Sequence, residues 1–323
     1  MPGFLNSNQR LNRDITICFL NTVKPHLYLD GFAATGIRAI RAEKEAGIRS
    51  VASERSLRAF DILKTNAELN DFKGELHWST FESMVSKYHF DFIDVDPYGN
   101  IVPFTDIAIN HIKNGGYIGF TATDLSVLTG SLKANTKRRY GSEVLNSNLR
   151  HEMGIRNLLG FIARRAVSLD TGMHPVISFY HGHFYRVIVQ IRKSSVEADK
   201  TDKFLGFADP GVIDPMYGIN SYGPLWTGKL ESFLGEKIMN IPETCSVDSV
   251  EFLGRLKNED ISQFFLDLTD SCSIRKANLP SVAHVLEKCG EIGISAARTH
   301  FSSTGIKCDN MVQLRSSIFT EYS

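Results

Sequence analysis

The chain has no C-x-x-C pair, and its five cysteines (Cys18, Cys245, Cys272, Cys289 and Cys308) are an odd number scattered over 323 residues. Such a pattern argues against a disulfide framework or a zinc knuckle and for reduced thiols in the cytoplasm. No apolar run reaches the ~18 residues needed to span a bilayer, and no signal-peptide pattern opens the chain. An excess of either charge is also missing, with 36 Lys plus Arg against 36 Asp plus Glu. The one small-residue loop between a strand and a helix, Gly31 to Gly36, lacks the G-x-G-x-x-G spacing of a dinucleotide fold and is not followed by the Lys of a P-loop, which weakens nicotinamide and nucleoside-triphosphate readings. No internal repeat is visible.

What is present is long enough for two domains. The neutral total conceals an asymmetry: 24 basic against 18 acidic residues up to Ser195, then 12 against 18. The polar run S-S-V-E-A-D-K-T-D-K at 194–203 lacks any structural pattern and is the best boundary, giving domains 1–195 and 196–323.

Read in order, 4–21 predicts a turn entering a helix, with Asn12 or Asp14 able to cap it and Arg13 and Asp14 able to form a solvated pair. Strands are expected at 27–30, near 51–54, 75–78, 90–95 and 117–122, with helices at 37–46, 57–69 and 103–112 and a short turn or helix at 80–85. That repeated order predicts an α/β fold with a doubly wound, mostly parallel sheet. An amphipathic helix is expected at 151–169, followed by a hairpin turning at His181-Gly182-His183. Beyond the boundary, G-P-L-W-T-G at 223–228 reads as a rigid turn with a buried Trp, and 290–293 as the turn of a helix-turn-helix in a smaller α+β domain.

The chemistry gathers at F-D-F-I-D-V-D-P-Y-G, residues 90–99. A buried strand stops where Pro97 removes a donor, leaving Asp96, Pro97 and Tyr98 at the carboxyl edge, where open α/β sheets bind ligands. An acid, a prolyl carbonyl and an aromatic ring can hold a planar nitrogenous base through its exocyclic amine; an ordinary strand-end turn is the alternative. Asp30-Gly31 opens a small-residue loop that runs through Thr35 to Gly36, and Glu54 stands where a ribose-binding acid belongs. Lys133, Lys137, Arg138 and Arg139 lie in a stretch, 130–165, with eight basic residues against two acids, and form either a phosphate-binding surface or a solvated face. Asp124 is a helix cap or a partner of the site.

With these pieces placed, the chain resembles the archaeal tRNA guanine-26 N2-dimethyltransferases. The resemblance is carried by N-R-D at 12–14, A-T-G-I-R-A-I-R at 34–41, I-D-V-D-P-Y-G at 93–99, T-A-T-D at 121–124, H-E-M at 151–153, Y-R-V at 185–187, G-P-L-W-T-G and R-T-H-F. It implies a Rossmann-like methyltransferase sheet closed by a hairpin, S-adenosylmethionine as cofactor and tRNA as partner, with one or two methyl groups placed on an exocyclic guanine amine. Arg13 and Arg38 are implied near the cofactor's carboxylate or framework, Asp30 and Gly31 in its loop, Glu54 on the ribose and Arg55 beside the adenine. Asp96, Pro97 and Tyr98 are implied as catalytic, with Phe4 able to close the pocket, and the 196–323 domain as tRNA-binding, including Arg298 and His300. Two departures stand out. Thr80-Phe81 occupies the place where relatives usually have Asp-Ala facing the adenine, and the family's frequent cysteine cluster before G-P-L-W is missing, so no metal is expected. A monomer is expected. An NAD-dependent oxidoreductase on a similar sheet and a non-catalytic tRNA-binding protein remain alternatives.

Overall fold

Short apolar runs alternate with amphipathic stretches, and this becomes a sheet wrapped by helices. The computed structural model describes residues 7–218, 221–230, 241–259, 261 and 264–319. Phe4, expected to close the pocket, lies outside the described residues. The first part runs α1 (Arg10–Val23), β1 (Leu27–Asp30), α2 (Ile37–Ala46), β2 (Arg49–Glu54), α3 (Leu57–Leu69) and β3 (Glu75–Trp78). It continues with α4 (Phe81–Val85), β4 (Phe90–Val95), α5 (Thr105–His111), β5 (Ile112–Ala122), α6 (Leu125–Leu128), α7 (Lys133–Tyr140) and α8 (Arg150–Val167). The hairpin β6 (Gly172–His181) and β7 (Phe184–Arg192) completes a seven-stranded sheet in the order β3-β2-β1-β4-β5-β7-β6. Strands β1 to β5 pair in parallel, and β7 is antiparallel to both β5 and β6.

Burial on both faces explains the apolar residues of β4, whose Phe90, Phe92, Ile93 and Val95 are all fully buried, while its buried acid Asp94 is ion-paired. In β4, Phe92 joins Phe19 and Tyr28 in the core on one face, whereas Ile93 and Val95 join Ile118 and Phe120 on the other. Strand order reverses between β1 and β4, which opens a crevice at their carboxyl ends.

The second part packs directly onto the first. The pair β8 (Leu205–Ala208) and β9 (Tyr222–Trp226) lies against α8, after α9 (Ser195–Asp202). It is followed by α10 (Val247–Asn258), β10 (Leu266–Asp267), α11 (Leu268–Arg275), α12 (Val282–Glu291), β11 (Ala296–Arg298), β12 (Gly305–Cys308) and α13 (Met311–Phe319). The last three strands form a separate sheet, β10-β12-β11.

Four local expectations change. The run 194–203 is helix α9, with Ala198 and Thr201 buried and the Thr201 hydroxyl accepting from the Met173 N–H at 2.9 Å. Its buried positions are too small to register as an apolar stripe. G-P-L-W belongs to strand β9, with Trp226 buried as expected. After Gly293 the chain enters β11 rather than a second helix, because Ile294 and Ala297 are buried beside the β12 pairing. Finally, α1 begins before Asn12 and Asp14, so neither residue caps it. Asp14 is a buried acceptor instead, taking hydrogen bonds from Arg41 (2.7 Å), Ser249 Oγ (2.8 Å) and the Ser246 N–H (3.0 Å).

Candidate active site and nucleic-acid face

The crevice at the strand-order reversal is a cavity of about 820 Å³. Its floor is the loop from Asp30 to Thr35, which links β1 to α2 and whose backbone is drawn down by local chemistry. Gly36 holds φ +79° at the helix entrance, and a Cβ there would run into Leu63. Only glycine meets both demands cheaply. At the end of β2, Glu54 accepts from the Ala34 N–H at 2.9 Å and from the Ser56 N–H at 2.8 Å. Its carboxylate thus ties the two loops together at the cavity wall. Arg55, Ser56, Arg58 and Ala59 continue that wall. On the opposite side Phe32, Phe81 and Phe104 pack ring on ring, with centroids 4.9–5.7 Å apart.

At the end of β4, Asp96, Pro97 and Tyr98 line the same cavity as Gly31 and Glu54. Tyr98 projects outward, 92 % exposed, while the backbone behind it is pinned by the Gly99 N–H on Thr123 Oγ1 (3.0 Å) and the Thr123 N–H on Gly99 O (2.9 Å). One oxygen of Asp96 accepts from Arg38 at 2.7 Å; among the described residues the other has no hydrogen-bond partner. Arg13 faces the cavity from α1, where burial and the nearby Arg38 and Arg41 lower its pKa to about 10, leaving it charged at neutral pH. Asp30 is buried with one oxygen unpartnered, and burial raises its pKa to about 7, against the pull of Arg38.

Of the residues singled out in the sequence, Arg13, Asp30, Gly31, Thr35, Arg38, Glu54, Arg55, Phe81, Asp96, Pro97 and Tyr98 converge here. Gly36 shapes the loop without lining the cavity. Thr80 does not line it either: exposed, it caps α4 by accepting from the Ser83 N–H at 3.3 Å, and the adjoining wall is Ser79. Gln9, Phe104, Thr123 and His183 also reach the cavity. Thr123 belongs to the T-A-T-D run and His183 to the hairpin turn, but neither was singled out for the site, because the four come from separate elements.

The basic helix α7 is tethered to the same sheet edge. Asp124, following β5, accepts from the Tyr140 hydroxyl at 2.9 and 3.0 Å and lies 3.4 Å from Arg139. Burial raises the pKa of Asp124, opposed by these same partners. Lys133, Lys137, Arg138 and Arg139 remain exposed, although Lys137 also meets Glu143 at 3.1 Å. Of the other basic residues of 130–165, Arg150 is also exposed, but the remaining three are engaged within the protein. Arg156 is 1 % exposed, Arg164 bonds the Tyr140 and Pro224 carbonyls, and Arg165 pairs with Asp106. Arg298 is exposed on β11, but His300 is no surface ligand. Its ring is buried between Glu259 Oε2 at 2.8 Å and the Tyr180 N–H, which donates to Nε2 at 3.1 Å.

A reversed parallel sheet, an antiparallel closing hairpin and an acid-bearing turn at the switch point define a Rossmann-like methyltransferase. The family described as "TRM: N2,N2-dimethylguanosine tRNA methyltransferase" matches residues 1–210 and 213–319. A tRNA (guanine(26)-N(2))-dimethyltransferase of Thermoplasma volcanium is 40 % identical over 310 residues, covering 95 % of this chain and 89 % of that protein. The Thermoplasma acidophilum protein of the same name is 37 % identical over 321 residues, covering 99 % and 91 %. Among solved structures, Trm1 from Pyrococcus horikoshii in complex with S-adenosyl-L-methionine superposes with a TM-score of 0.88 at 28 % identity, over 98 % of this chain and 94 % of that one. The chain belongs to the N2,N2-dimethylguanosine tRNA methyltransferase family.

Proposed function

We infer that this protein transfers one or two methyl groups from S-adenosylmethionine to the exocyclic N2 of guanine 26 in tRNA. The observation that carries this reading is the convergence of Asp96, the Pro97 backbone and an unengaged Tyr98 ring on the cavity that also holds Asp30, Gly31 and Glu54. The residues present suit the cofactor. Asp30 offers an unpartnered buried oxygen, Glu54 stands at the end of β2 for ribose hydroxyls, Arg13 offers charge for a carboxylate, and Phe32 and Phe81 offer an apolar wall. When bound, S-adenosylmethionine supplies an electrophilic methyl group.

The work of the chain is then to prepare the amine. A guanine N2 is a weak nucleophile because its lone pair is delocalised into the ring. Hydrogen bonds from its N–H groups to the free Asp96 oxygen and the Pro97 carbonyl localise that pair and fix its direction. Asp96 takes the proton released as the nitrogen is alkylated. Tyr98 stacks on the base, which must leave its own stack at a cost of about a few kcal/mol. Contacts between α7 and the tRNA backbone offset that cost. In this reading residues 1–195 carry catalysis, 196–323 help hold the tRNA, and the enzyme acts as a cytoplasmic monomer.

Incubation with labelled S-adenosylmethionine and unmodified tRNA, followed by nucleoside analysis, should give N2-methylated guanosine, and Asp96→Ala should abolish it while tRNA affinity stays within about twofold. Full activity of Asp96→Ala, or label on another nucleoside, rejects the assignment.

A further inference from the structure

Arg38 occupies an unusual position for a residue that the family resemblance places near the cofactor. Its side chain is 7 % exposed and lies between two acids, with Nη2 donating to Asp96 Oδ2 at 2.7 Å and Nε 3.6 Å from Asp94 Oδ2. Asp94 is completely buried and is itself immobilised. Arg186, also completely buried, spans both of its oxygens at 2.7 and 3.0 Å, and the Tyr28 hydroxyl donates at 3.2 Å. Arg186 is in turn held by Thr121 Oγ1 at 3.1 Å and Thr16 Oγ1 at 3.0 Å. Room for this guanidinium exists because β5 carries Gly119 opposite it, where a Cβ would collide with Arg186. The result is a line of alternating charge, Arg186–Asp94–Arg38–Asp96, running from inside the sheet to the cavity wall.

We propose that Arg38 is a positioning residue for Asp96 rather than an anchor for the methionine end of the cofactor, and that Asp94, locked by Arg186, sets its position. This rests on the reading that Asp96 receives the guanine amine. Buried ion pairs do not by themselves argue for stability, since desolvation consumes much of the Coulomb gain. A directional role is the better account of the several bonds that fix Asp94 behind Arg38 and of the one that Arg38 in turn gives to Asp96. With Arg38 on Oδ2, the Asp96 carboxylate cannot rotate freely, and Oδ1 is left for the amine. Arg13 then remains as the cavity cation for the cofactor's carboxylate.

The charged groups coupled to Asp96 include Arg13 from α1, Asp30 from β1 and Arg38 from α2. The test uses the full chain carrying Arg38→Gln or Arg38→Lys. In Arg38→Gln, kcat should fall about 100-fold, the scale on which a small misplacement of a reacting group costs rate. S-adenosylmethionine Kd and tRNA KM should each change less than about threefold. Arg38→Lys, which keeps the charge but not the fork, should restore part of the rate. Asp94→Asn, where it folds, should reproduce the Arg38→Gln loss of kcat. The proposal is overturned if Arg38→Gln weakens cofactor binding in step with kcat/KM. A fully active Asp96→Asn would instead remove the reading beneath it.

Discussion

Asp30 is a carboxylic acid with little solvent and two acidic neighbours, Asp94 and Asp96, that oppose its ionisation. Its pKa rises from 3.8 to about 7 in the folded chain, so the folded state holds the proton more tightly than the unfolded one. The associated stabilisation is complete below the unfolded value and is lost as pH climbs through about 7. Between pH 5 and 8 this one group should cost the wild type roughly 2–3 kcal/mol relative to Asp30→Asn. Urea unfolding of both proteins at the two pH values measures that difference, and parallel pH dependence would show that Asp30 titrates normally. Tyr98 is the opposite case, an aromatic ring left in water two residues from Asp96, the proposed acceptor. Tyr98→Ala should lose about 1–3 kcal/mol of transition-state binding, the value of one base stack, while the melting temperature stays unchanged. Tyr98→Phe should retain most activity, since stacking needs the ring and not the hydroxyl.

Individual elements show how far local pattern reaches. Strand β4 and the turn after it were legible because burial on both faces leaves an apolar signature and proline stops a strand wherever it stands. Loop β1–α2 was legible for a similar reason, since small residues between a strand and a helix announce close backbone approach. The basic cluster on α7 was singled out by charge alone, with no helix expected there, and charge could not separate it from α8, whose Arg156 and Arg164 are spent on buried carbonyls and whose Arg165 pairs with Asp106. Composition counts charges; only packing decides which of them meet water. Neutralising Lys137, Arg138 and Arg139 together should weaken tRNA binding and flatten its dependence on salt, with a slope smaller by about two to three. Filter binding at several salt concentrations checks it, and an unchanged slope would make α7 an ordinary solvated face. Helix α9 escaped notice because its buried side, Ala198 and Thr201, has no large apolar residue.

In the whole molecule the two parts are joined by more than a linker. Glu152 on α8 is completely buried and accepts from Arg156 (2.9 Å), from Lys307 of β12 (3.0 Å) and from the Phe265 N–H (3.2 Å). Arg156 reaches onward to the carbonyls of Trp226 (3.1 Å) and Gly228 (2.9 Å). One node therefore fastens the C-terminal sheet and the β9 strand to the part that holds the seven-stranded sheet, and apolar residues of both parts share a continuous core. Glu152→Gln leaves two buried cations short of their partner and should cost about 3–5 kcal/mol. The loss should be seen by calorimetry as one earlier transition. A separate early melting of the C-terminal part, with the remainder unchanged, would show that the node does not couple them. Lys137 and His300 show why the site was only partly readable. Both looked like RNA ligands, yet one is exposed on α7 and the other is locked between Glu259 and the Tyr180 backbone.

By itself the chain's order of residues determined the strands of the main sheet, the edge at which the crevice opens and the D-P-Y turn at the end of β4, because periodicity and turn geometry act over a few neighbours. The tertiary structure alone decided that Arg38 belongs to Asp96, that Arg156 and His300 are interior, that Thr80 stands outside the cavity and that Gln9, Thr123 and His183 stand within it. Most of those outcomes depend on which side chains meet after distant segments have packed, from 58 residues apart for Arg38 and Asp96 to 120 for Tyr180 and His300, and no local pattern encodes that.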